Sequence, residues 1–150
     1  MTAEERRVRP SVTLGILAVA CVSYVLQQTL VVPALPTIQR DLDTTTTWTA
    51  WVFTGFLLTS AVATPLLGKL GDTYGKKRLL VIAMVIFAVG TVGAALADSI
   101  ALLIVARGVQ GAAGAVFPLA FGIVRDELPP EKVGIGLGFL SATFGVGGGC

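Results

Sequence analysis

Arg107 is the residue best placed to do chemistry in this chain, because it lies inside an apolar stretch running from 100 to 124. A guanidinium stays charged, and it costs about 2.5–3.5 kcal/mol at the centre of a membrane-spanning helix on insertion scales. Arg107 stands about 10 Å from the nearer end of its stretch at the helical rise, so snorkelling to the headgroups competes with an interior role. Gln110 and Gly111 follow it by three and four residues and would share its helical face. A second cluster, Gly68-Lys69-Leu70-Gly71-Asp72-Thr73-Tyr74-Gly75-Lys76-Lys77-Arg78, sets one acid among four bases. An acid in such surroundings pairs with a base or faces the positive N-terminus of a helix, and the glycines permit sharp turns. A third set, Gln27, Gln28 and Thr29, interrupts another apolar run with groups suited to substrate contact or to helix-to-helix hydrogen bonds.

Other chemistries lack their residues. Histidine is absent, which removes the commonest general base and metal ligand, and Cys21 and Cys150 have no metal-ligand spacing. No nucleophile with a neighbouring base is visible. The glycine run Gly145-Val146-Gly147-Gly148-Gly149 is not preceded by a strand, so it is no phosphate loop. The chain therefore reads as a non-enzyme without a cofactor. Its net charge of +2 is small and its basic residues are not interleaved with aromatics, which argues against a nucleic-acid partner.

The elements that must position Arg107 and Asp72 are membrane helices. Of the 150 residues 54% are hydrophobic and 13% charged, about half the charge of an average soluble domain, and mean hydropathy is +0.83. Five apolar stretches, 12–32, 48–67, 79–97, 100–124 and 133–150, each approach the roughly 20 residues that span hydrocarbon. Short polar pieces separate them, so the expected fold is an all-α polytopic helix bundle. Arg6, Arg7 and Arg9 before an apolar run with Ala18-Val19-Ala20 resemble a cleavable leader, but the run continues well past Cys21, which favours a retained helix. With residues 1–11 cytoplasmic, nine lysines and arginines fall inside and only Arg40 outside. That bias sets a multi-pass orientation in a cell (plasma or inner) membrane. Trp48 and Trp51 then open the second span at the outer interface, and a hydroxyl among Thr44 to Thr47 is available to cap that helix. Pro33 and Pro36 are expected to end the first helix. The glycines of the fifth span, Gly134, Gly136 and Gly138 and those from Gly145 to Gly149, suit close helix packing.

The cluster 68–78 resembles the signature loop of the major facilitator superfamily, matching at Gly68, Leu70, Asp72, Gly75, Lys76, Lys77 and Arg78, with Thr73 where that family usually has a base. The resemblance implies a gating loop that stabilises one transport state through a charge network, with Asp126 as the partner of Lys76. Leu103, Arg107, Gln110, Gly111 and Ala115 look like the fourth-span motif of drug:proton antiporters, which implies a part in proton coupling for Arg107 and Gln110. Thr29, Ala34, Leu35 and Pro36 are similar to the first-helix motif of the fourteen-span branch, although Gln27 stands where an aspartate is expected. Gln27, Gln28, Thr29 and Gly111 are accordingly candidate substrate contacts. On this resemblance residues 12–150 form the N-terminal transmembrane region of a transporter, cut within its fifth helix. The whole would export small organic compounds against protons, with the bilayer and the remaining part of the transporter chain as partners. A metabolite uniporter or symporter would share the loop without needing Arg107 and Gln110. A short, non-transporting, partner-binding membrane protein is the alternative of another class.

Overall fold

The computed structural model describes residues 10–148. Arg6, Arg7, Arg9 and Cys150 lie outside them. Helix follows helix throughout: α1 (Pro10–Asp41), α2 (Thr46–Tyr74), α3 (Lys76–Ala95), α4 (Ile100–Gly111), a 3-10 turn (Ala112–Ala115), α5 (Val116–Glu127) and α6 (Pro130–Gly148). Among the described residues four units are long and apolar enough to cross a membrane: α1, α2, α3, and the α4–turn–α5 unit running Ile100–Glu127. In lipid every backbone N–H and C=O must be satisfied within the segment, which is why such stretches become helices. The fifth stretch is helical too, as α6, and packs chiefly against α1.

α1 and α2 overrun their apolar stretches at both ends, and α3, the α4–α5 unit and α6 each at one end. α1 continues through Pro33 and Pro36 to Asp41, so these prolines do not end it. Each deletes one backbone donor, and the flanking hydrogen bonds of a long helix carry it past the gap, as in many membrane helices. The expected loop 68–78 is likewise mostly helix: α2 persists to Tyr74 and α3 begins at Lys76. Gly75 alone makes the turn, at φ 100° and ψ 121°, where an L side chain is strained. At the opposite end Thr45 is the N-cap of α2 but its hydroxyl accepts no cap hydrogen bond, contrary to the sequence expectation. Its neighbour Thr46 instead accepts from Gln39 Nε2 at 3.3 Å, tying the end of α1 to the start of α2. Ser99 does cap α4, accepting from the Leu102 N–H at 3.4 Å.

The core sits between α1, α3 and the α4–α5 unit, with Leu17, Tyr24, Phe87, Val116, Leu119 and Ile123 buried together. Tyr24 is its aromatic hub, with ring centroids 5.5 Å from Phe87, 5.9 Å from Phe117 and 6.0 Å from Phe56. Apolar side chains such as Ile16, Leu58, Val85 and Val105 cover the outside, as a lipid-facing surface requires.

Gly75 provides a direct test of the turn. A methyl at Gly75 meets no atom within 4 Å, so only its backbone conformation opposes a side chain, whereas Gly68 lies in open space within α2 without positive φ. Gly75→Ala is expected to cost about 1–3 kcal/mol and lower the thermal unfolding midpoint in mild detergent. Gly68→Ala should leave that midpoint unchanged or raised by the equivalent of about 0.5–1 kcal/mol.

Candidate functional site

Two polar clusters stand out in the bundle, one buried at mid-helix and one at the end where α2, α3 and α5 meet. The buried one centres on Arg107, which is 2% exposed, and Gln110, which is fully enclosed. Arg107 does not snorkel: it points inward, among α1, α2 and α4. Its Nη1 donates to Gln110 Oε1 at 2.7 Å and its Nη2 donates to Gln28 Oε1 on α1 at 2.7 Å. The guanidinium carbon lies 4.7 Å from the centroid of Phe56 on α2, a cation–π contact in a desolvated place. Gln110 Nε2 donates to Thr91 Oγ1 on α3 at 3.0 Å. The Thr91 hydroxyl in turn donates to the Phe87 carbonyl at 2.8 Å, with Gln27 Oε1 a longer acceptor at 3.4 Å. The adjacent residues Gln27 and Gln28 thus close a ring of polar side chains that runs α1, α4, α3 and back to α1.

Three features of this ring matter chemically. Its only formal charge is Arg107, and no carboxylate among the described residues pairs with it. Arg107 Nε is buried without a hydrogen-bond partner. The Tyr24 phenol is an ionisable group within electrostatic reach of it. The ring forms because small residues bring the helices together. A methyl at Gly90 on α3 would sit 2.5 Å from Gln110 Cγ and 2.9 Å from its backbone nitrogen. A methyl at Gly111 would strike the Phe56 carbonyl, so Gly111 packs against the α2 backbone. Thr29 donates to the Val25 carbonyl in its own helix at 3.1 Å.

At the other cluster the α2–α3 turn lies against the end of α5. Lys76 Nζ sits 2.7 Å from Asp126 Oδ2 and 3.3 Å from Asp72 Oδ1, one turn back. Lys77 pairs with Glu127, whose other oxygen accepts from Thr13 on α1 at 3.4 Å. The stem of Lys76 crosses Gly122, where a methyl would lie 2.6 Å from Cδ. Gly71 is buried where a methyl would meet Leu119 at 2.5 Å. Leu70 and Arg78 are exposed, and Arg78 pairs with no carboxylate among the described residues. A cleft of about 360 Å³ opens here, lined by Tyr74, Lys77, Arg78, Ile123 and Glu127 among others.

The structure thus joins Arg107, Gln110, Gln28 and Gln27 in one cluster and Asp72, Gly75, Lys76, Lys77 and Asp126 in the other. Sequence reasoning missed Thr91, Phe56, Gly71 and Glu127. Gly71 carried a signal, as a second glycine in the loop pattern. Thr91 and Phe56 carried none, since each is ordinary for an apolar helix.

The helical bundle thus carries a one-residue turn clamped by charge at one end and an arginine-centred polar ring at mid-helix. The chain belongs to the Major Facilitator Superfamily, whose pattern matches residues 17–150. It is 36% identical over 140 residues to the "Tetracenomycin C resistance and export protein" of Streptomyces glaucescens, covering 93% of this chain and 26% of that protein. It is 37% identical over 128 residues to "Multidrug export protein EmrB" of Haemophilus influenzae, covering 85% and 25%. "Multidrug resistance protein 3" of Bacillus subtilis is 35% identical over 136 residues, covering 90% and 26%. The chain therefore spans about a quarter of the length of these curated relatives.

Hydrogen bonds from Lys76, first to Asp126 and then to Asp72, raise its pKa above the ordinary lysine value. A raised pKa means that the contact's contribution is complete below the ordinary value and is lost only as pH climbs through the raised one. A double-mutant cycle of Lys76→Met and Asp126→Asn on thermal stability should therefore give the same coupling at about pH 7 and pH 9. Loss of coupling within that window would contradict the assignment. At the buried ring, Gly90→Ala should cost about 1–3 kcal/mol by overpacking. Gly93→Ala, whose methyl would meet only Ala106 Cβ at an ordinary 3.5 Å, should be tolerated in the same melt.

Proposed function

We propose that this chain is the N-terminal part of a secondary active transporter that exports small organic compounds of the multidrug type in exchange for protons. The observation that carries the reading is the buried Arg107–Gln110 pair tied to Gln28 on α1. A fixed positive charge held between helices in a dry interior is expensive, and such residues mark ion and substrate pathways in membrane proteins. The names of the relatives agree in class, since two are called multidrug and two export proteins.

In this reading the two clusters divide the work. Arg107 is held in place by Gln110 and Gln28 and biases the proton affinity of an acid brought near it. All acids among the described residues lie at helix ends or in the connections between helices, so the proton-binding carboxylate comes from the remaining part of the transporter chain. Substrate binds between the two halves near the midplane, with Gln27, Gln28 and Thr29 on α1 as polar contacts. The turn at Gly75 with Lys76, Asp72 and Asp126 acts as the gate: it holds α2 and α3 against α5 in one state and opens in the other. The protein sits in the cell membrane with its N-terminus cytoplasmic, because Lys69, Lys76, Lys77, Arg78, Arg125 and Lys132 gather at one end of the bundle and Arg40 stands at the other.

Proton-driven efflux from inverted membrane vesicles of the complete protein tests the reading. Arg107→Ala should abolish gradient-driven export while leaving the amount of inserted protein unchanged, and Asp126→Asn should slow export without abolishing it. Unchanged export in Arg107→Ala would remove the coupling role.

A further inference from the structure

We infer that Arg107 is also the recognition point for an acidic group on the transported compound, a carboxylate or phenolate, with Gln28 as the cover that this group displaces. The inference rests on the export reading above and deepens it by naming a substrate class.

The argument begins from charge. A guanidinium has five donors and no acceptor, and it remains protonated in proteins. Here two of those donors are taken by neutral amide oxygens, and Nε has no partner although Arg107 is 2% exposed. Neutral amides satisfy geometry but leave the charge uncompensated by any carboxylate among the described residues, and buried charges are normally paired. Every basic side chain that does have a carboxylate partner among the described residues lies at a helix end, Lys76 and Lys77. The interior of this bundle is thus poised for an anion.

The approach is set by Gln28. Gln110 is fully enclosed and already committed to Thr91, and Phe56 closes the α2 side, whereas Gln28 is only half-buried. Gln28 belongs to α1, which packs chiefly on α6 and reaches α4 here through its side chain rather than through close backbone contact. A carboxylate or phenolate oxygen that takes the place of Gln28 Oε1 on Nη2 exchanges a neutral hydrogen bond for a charge-assisted one, which is roughly twice as strong. A carboxylate can accept from Nη2 and Nε together, the forked geometry that guanidinium prefers, and this would satisfy the orphaned donor. The same exchange frees α1 from α4, so recognition of the acid loosens a helix-to-helix tie at the ring.

Equilibrium binding to the purified complete protein in nanodiscs tests this, with a fluorescent aromatic carboxylic acid and its methyl ester as the matched probes. The acid should bind at least about tenfold more tightly than the ester at neutral pH. Arg107→Gln should remove that preference while ester binding stays within about twofold. Gln28→Glu, which supplies an internal carboxylate to Arg107 and preserves the packing volume, should remove it too. Equal binding of acid and ester by the unaltered protein overturns the inference, as does a preference that survives Arg107→Gln. Vesicle efflux of both probes separates the two readings. Gradient-driven export without an acid preference sinks the recognition site and keeps antiport, whereas an acid preference without gradient-driven export does the reverse.

Discussion

A guanidinium cannot give up its charge inside a lipid-embedded bundle, so the helices around Arg107 have to bring it acceptors from more than one direction. That requirement shapes the middle of the molecule. One acceptor comes from its own helix, where Gln110 is three residues on, and the second comes from α1 through Gln28. The aromatic face of Phe56 closes the α2 side. The Phe56 contact and the bond from Gln110 to Thr91 need α2 and α3 to approach α4 more closely than ordinary side chains allow. Gly111 removes the methyl that would strike the α2 backbone, and Gly90 the one that would strike Gln110. The 3-10 turn then carries the chain from α4 into α5.

Much of the fold was legible in the sequence for a simple reason: a span's length and apolarity are set by the thickness of hydrocarbon, which is the same for every helix. The five stretches read from hydropathy are the five helical units of the structure. Their ends were not legible, because the change from apolar to polar residues marks where lipid stops and not where helix stops. Thr37, Arg40 and Asp41 are polar yet helical, and so are Lys69, Asp72 and Tyr74. Proline misled for a related reason, since a helix long enough to overrun the hydrocarbon tolerates the loss of one donor at Pro33 and another at Pro36.

The candidate sites were legible in proportion to how unusual their residues are. An arginine in a long apolar stretch stands out in any sequence, and Gln110 on its face follows from helical periodicity. The partners on other helices do not stand out, because hydrogen bonding across the bundle depends on register that hydropathy does not encode. Thr91 shows this well. A threonine in a membrane helix ordinarily bonds its own carbonyl four residues back, as Thr29, Thr59 and Thr143 do here. Thr91 makes the same bond and also accepts from Gln110, and nothing in its neighbours distinguishes it. The charged turn was easier, since Lys76 and Asp126 both sit beside apolar stretches that must end at the same face.

The two clusters differ in a way that suits different tasks. At the turn the ion pairs reach solvent, with Asp72 and Asp126 largely open to it around Lys76. Ion pairs of that kind contribute little and exchange readily with water, so breaking them during a conformational change raises no large barrier. The Arg107 ring is the opposite case. Arg107 and Gln110 at its centre are buried, and undoing one of their hydrogen bonds without a substitute leaves a buried charge with still fewer partners. In the transport cycle proposed above, a turn built from exposed pairs opens and closes readily, whereas the ring opens only when something with an acceptor takes over from Gln28. On that proposal the interior tie is the step that depends on a ligand, and motion at the turn is free to follow it.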